Sequence, residues 1–163
     1  MTNCSEFNLD DLMEITAIPL SGIPAGDISS PANILAPTIQ RSAFNPTLTD
    51  AIVIGQQAAV QGGALIPIKR NTGKAKDDES DAVSGRGHTV SVTCEADDRN
   101  GGVWGDLLML ERTPRHLLLT FRNGTQGFVS ATEDTYLCTV ERDGAKTSVA
   151  FKIQNLMGIQ LLV

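Results

Sequence analysis

The sequence predicts a β-rich, α+β domain: an antiparallel β-sandwich or a partly open barrel, with one short helix at about 103–112. Three observations carry that expectation. Residues 88–96 alternate apolar and polar side chains with a period of two. Residues 136–142 and 145–153 do the same on either side of Asp143-Gly144. Apolar side chains at helical spacing occur in a single stretch. A chain of 163 residues fits one domain, 1–163. Such a domain buries roughly two-thirds of its unfolded surface, enough for a core without staples.

In the first half, residues 12–20 and 51–55 read as short strands. Residues 64–70 do too, with Pro67 confining that strand to a sheet edge, because proline cannot donate to a ladder. Segment 19–37 holds Pro19, Pro24, Pro31 and Pro37 and reads as extended. It is either an arm reaching along a neighbour or a loop folded onto its own domain. Residues 71–87 form the longest polar stretch and read as a long flexible loop, too poor in apolar area to order itself. Its charges are segregated: Lys69, Arg70, Lys74 and Lys76 precede Asp77, Asp78, Glu79 and Asp81. That pattern suits either a solvated loop or head-to-tail docking on another copy.

In strand 88–96, Val90, Val92, Cys94 and Ala96 line one face, and Thr89, Ser91, Thr93 and Glu95 the other. The Gly101-Gly102 turn then leads into the helix, which stacks Leu107 and Leu110 and stops at Thr113-Pro114. The next strand, 115–122, places Leu117, Leu119 and Phe121 on one face and ends at Asn123-Gly124. A tight two-residue turn there would set Phe121 against Gln126, so a bulge or longer loop is expected, with Gly127 the candidate position. Asp143-Gly144 predicts a two-residue type I′ turn with Cys138 opposite Val149 and Tyr136 opposite Phe151.

Composition narrows the function classes. Hydrophobic residues make up 41% and aromatics only 4%, so the core is expected to be aliphatic, with Trp104 as its largest anchor. Few aromatics also speak against a surface that stacks bases. Net charge is -6, and residues 1–68 carry one base (Arg41) against six acids. An acidic balance argues against specific nucleic-acid binding, which needs a basic footprint. Cys4, Cys94 and Cys138 form no close pair, so neither a disulfide framework nor a metal knuckle is expected. Residues 1–11 lack the apolar run of a signal peptide, and no stretch has the ~20 apolar residues of a membrane helix. The expectation is a cytoplasmic chain with no membrane partner.

Catalytic and metal patterns are missing. Gly62-Gly63 and Gly101-Gly102 stand in no phosphate-loop context. Residues 77–81 are acidic but lack the alternating oxygens and central glycine of a calcium loop. His88 and His116 have no second ligand at metal spacing, and no GxSxG elbow accompanies His116. The reading is a non-enzymatic protein with no catalytic residues, metal, cofactor or small-molecule substrate.

The order strand, turn, short helix, strand, terminal hairpin over residues 88–163 resembles phage tail-tube proteins and their secretion-system relatives. Residues 99–121 resemble virion proteins encoded in prophages of gut bacteria. The proline-rich first half departs from the tube pattern and leaves the tail component open. The resemblance implies a self-assembling structural subunit that forms rings or tubes with copies of itself and with other tail proteins, ending in a virion or tail-like particle. It also implies sheets joined edge to edge around an acidic lumen. Lys74, Lys76, Asp77, Asp78, Glu79, Asp81, Pro24 and Pro31 are then the candidate subunit contacts. A tail-completion or neck protein of the same virion and a small-ligand-binding β-barrel are the alternatives.

Overall fold

The computed structural model describes residues 11–20, 38–39, 64–66, 68–82, 85–97, 103–144 and 146–162. Two sheets pack over one core as a β-sandwich and do not close into a barrel. The strands of the first sheet are β1 (Leu12–Pro19), β2 (Thr38–Ile39), β3 (Ala64–Ile66), β6 (Arg115–Phe121), β7 (Gln126–Val129) and β10 (Ile159–Leu162). They lie in the order β2-β10-β7-β6-β1-β3. The second sheet contains β4 (Lys74–Ala82), β5 (Gly85–Ala96), β9 (Lys146–Asn155) and β8 (Tyr136–Asp143), in the order β4-β5-β9-β8. Pairing is antiparallel throughout, except that β2 joins β10 in parallel. One helix, α1 (Val103–Arg112), is described. The expected strand at 51–55, the stretch 21–37 and the Trp104 side chain lie outside the described residues.

The core is largely aliphatic, but its biggest fully buried side chains among the described residues are Phe121, Phe128 and Phe151. Val90, Val92 and Cys94 of β5 meet Ile153, Phe151 and Val149 of β9 on the inner face, as the period-two alternation requires. The first sheet is buried on both sides. Leu117 and Leu119 enter the common core, while Ile18, Leu118 and Phe128 are buried on the opposite face. That is why β6 reads as a run of leucines rather than as alternation. β3 lies at the sheet edge, where Pro67 was expected to confine it.

Two expectations need correction. Residues 71–87 are not a long loop: from Lys74 they form β4, which pairs with β5 from Lys74↔Thr93 to Ala82↔Gly85. β5 is a strong strand with a ladder side to fill, and its neighbour supplies backbone groups regardless of side-chain polarity. The carboxy-terminal hairpin also pairs two residues further along than expected, with Asp143↔Lys146, Val140↔Val149 and Cys138↔Phe151. A shift of two leaves every side chain on its face, so apolar matching cannot choose between the registers. Turn geometry chooses. Asp143 lacks the positive φ that a turn centred on Asp143-Gly144 requires, and Gly144, at φ +62°, takes the first central position instead.

The β6–β7 hairpin has the longer loop expected. Phe121 N–H donates to Thr125 O at 3.0 Å, and Gly124 N–H donates to Phe121 O at 3.0 Å. Gly124, at φ +88°, closes this type I turn and bulge. Gly127 pairs regularly with Leu119 and is not the bulge.

Helix α1 seals one edge of the second sheet. Leu107 and Leu110 are fully buried. The Leu110 carbonyl, one of the last-turn groups without a helical partner, accepts a 2.7 Å bond from the Tyr136 hydroxyl. Glu111 Oε1 accepts from the Val140 N–H at 2.6 Å, satisfying a donor of edge strand β8. The opposite edge, β4, has no neighbour among the described strands.

Candidate functional site

The candidate contacts separate by parity along β4. Lys74, Lys76 and Asp78 point to the outer face, opposite Thr93, Ser91 and Thr89 of β5. Lys76 Nζ and Asp78 Oδ2 stand 3.3 Å apart, with side chains 72% and 56% exposed. Such a pair adds little to the stability of a single chain. Glu79 is exposed and faces His88 across the ladder. Asp81 pairs with Arg86 through its backbone, and its side chain lies outside the described residues, as do Pro24 and Pro31.

Asp77 goes the other way. Its side chain is 1% exposed, on the inner face with Ala75, which removes it from the set of surface contacts. His88 Nδ1–H donates to Asp77 Oδ1 at 2.8 Å, and the Ile159 N–H donates to Oδ2 at 3.0 Å. His88 lies diagonally across the ladder, because Asp77 is opposite Val90. Asn155, opposite His88 on β9, extends the network: its Nδ2 donates to Ser130 O at 3.0 Å, and its Oδ1 accepts from Gly158 N–H. These bonds tie β4, β5 and β9 of one sheet to the start of β10 in the other. Gly158, at φ +65°, lets the chain pass the Asp77 carboxylate where a Cβ would collide with it.

The other polar groups of the interior are structural in their surroundings. His116 is buried and accepts from the Ala131 N–H at 2.9 Å through Nδ1, with a backbone hydrogen bond to Leu20. Burial lowers its pKa to about 4, so it is a neutral imidazole packed on Phe128. Cys94 and Cys138 are free and buried, and burial pushes each thiol up to about 12. A thiol held neutral in this way is a poor nucleophile.

The Asp77–His88 pair orients an imidazole as a general base would be oriented. Among the described residues no hydroxyl or thiol is hydrogen-bonded to His88, and Asp77 spends its second oxygen on a backbone amide. The pair clamps β4 to β5 and to the start of β10. No group of three or more His, Cys, Asp or Glu among the described residues could hold a metal ion. No helix among them is long and apolar enough to cross a membrane. A shallow polar depression lies at the β8–β9 turn, lined by Glu141, Arg142, Asp143, Lys146 and Ser148. What the arrangement offers to the outside is the polar outer face of the second sheet and the β4 edge. Comparison with protein-family models, with curated proteins and with solved structures found no match to this chain.

Proposed function

We propose that this chain is a non-catalytic, self-assembling structural subunit of a phage tail or tail-like particle. One observation supports it above the rest: β4 is a nine-residue strand whose far side has no neighbour among the described strands. A row of unpaired backbone donors and acceptors is a template for another chain, and assembly is one way to cover it. The other edge of the same sheet is covered by α1, which leaves the sheet one edge to pair. Asp77, His88 and His116 are tied into hydrogen bonds that hold the fold together, and the reading places the function on the surface.

The experiment is sedimentation of the purified chain with rising concentration, followed by electron microscopy of the concentrated sample. Rings or tubes are expected. A chain that stays monomeric at about 1 mM, alone and with tail proteins, ends this reading. Co-assembly with a ring of a different subunit, without self-assembly, would assign the neck or completion role instead.

A further inference from the structure

We propose that β4 docks on β4 of a second copy, antiparallel about a two-fold axis at Asp77, with Lys76 of each copy facing Asp78 of the other. This deepens the self-assembly reading and rests on it: a two-fold contact closes at a dimer, which is then the unit that rings or tubes join through other faces. Backbone direction and charge together select this register. The Gly73 carbonyl points away from β5 and accepts from the Leu12 N–H at 3.3 Å. Backbone groups alternate along a strand, so those of Ala75 and Asp77 face outward too, whereas Lys74, Lys76 and Asp78 bond to β5. A two-fold ladder must therefore set odd residues opposite odd ones, so it centres on a residue and not between two, and a centre on Lys76 or Asp78 would set that charge directly against its own copy.

The second feature is charge. Centred on Asp77, the pairing sets Lys76 opposite Asp78 twice, at non-hydrogen-bonded positions where side chains approach most closely. Centred on Ala75, it would set Lys74 against Lys76 and repel. Centred on Glu79, it would set Asp78 against Ser80 and attract nothing. Asp77 itself is no obstacle, because each carboxylate is turned into its own core and held by His88 and Ile159. The exposed Lys76–Asp78 contact within one copy is free to exchange for the contact between copies. Charges on an edge strand deter indiscriminate pairing, and a self-complementary set admits one partner in one register.

The test is sedimentation equilibrium of the full chain and of K76D, D78K and K76D/D78K, each checked for native circular dichroism. Wild type is expected to dimerise as concentration rises toward about 1 mM, more weakly in about 0.5 M salt. Each single reversal puts like charges at both contacts and should weaken dimerisation about tenfold or more. The double variant should recover it, and mixing K76D with D78K should give heterodimers, because both contacts become complementary again. Wild-type assembly that neither single reversal alters overturns the β4 contact and leaves the structural-subunit reading standing. Failure of the K76D and D78K mixture to associate overturns the two-fold geometry. A wild type that never associates overturns both.

Discussion

Replacing Asp77 with alanine tests whether β4 belongs to the sandwich or is the mobile loop that its charges suggest. The carboxylate accepts two hydrogen bonds, from His88 Nδ1 at 2.8 Å and from the Ile159 amide at 3.0 Å, with its side chain 1% exposed. Hydrogen bonds to a charged acceptor contribute about 1.5–3 kcal/mol each, and removing one partner of a buried pair costs about 3–5 kcal/mol. His88, 10% exposed in its side chain, can regain some water, but the Ile159 amide cannot, so about 3–4 kcal/mol is expected for Asp77→Ala. Asp77→Asn should cost less, about 1–2 kcal/mol, since the amide can still accept from Ile159 and donate to the other His88 tautomer. Urea unfolding of wild type, D77A, H88A and the double variant measures this directly. The double variant should fall short of the sum of the singles by about 2 kcal/mol. A loss below about 1 kcal/mol for D77A would refute the clamp and return residues 71–87 to the solvent.

Three further outcomes follow from the same geometry. Gly144→Ala meets nothing within 4 Å and carries only the strain of φ +62°, about 1 kcal/mol, whereas Gly158→Ala adds a collision with Asp77 and should cost at least about 2 kcal/mol more by thermal or urea unfolding. His116 is held neutral with its pKa lowered to about 4 from 6.5, so the unfolded chain binds a proton first as pH falls. Stability should then drop from about pH 6.5 to pH 4 by about 3 kcal/mol, and H116N should lack that one-proton slope. Cys94 and Cys138, pushed up to about 12 by burial, should resist a thiol reagent at pH 8 in a Cys4→Ser background and react once the chain is unfolded. Because the folded pKa lies above the unfolded one, both thiols also remove stability as pH rises above about 9, which unfolding at alkaline pH would read.

Most of the second sheet was legible in the sequence, because its strands alternate where one face is buried and the other is wet. β5, β8 and β9 fall where periodicity placed them, and α1 spans Val103–Arg112 as its spacing and Pro114 dictate. Register was less legible. Pairing Cys138 with Val149 or with Phe151 leaves the same apolar face, and the turn separates the two: a type I′ turn over Asp143-Gly144 needs positive φ at Asp143, which Asp143 does not have. The packing of the first sheet was hidden for another reason. Its outer face buries Ile18, Leu118 and Phe128 in addition to the core side, so β1 and β6 give no alternation to read.

The clamp was missed because its strand was missed. In residues 74–79 only Ala75 is apolar, and a run of charge with no hydrophobic period is what a solvated loop looks like. Had β4 been assigned, the parity of Ala75 would have turned Asp77 inward and set it diagonal to His88. The camouflage follows from the position of the strand. A central strand can be hydrophobic because both its ladder sides are occupied. An edge strand with the same side chains would pair with any exposed edge it met, so it has to carry charge. Lys76 and Asp78 on the outside and Asp77 on the inside meet that demand. In the proposed dimer the first two select the partner, and the third couples the edge to the core through His88 and Ile159. The side chains that make β4 read as a loop are therefore those that restrict pairing at an edge with no neighbour among the described strands.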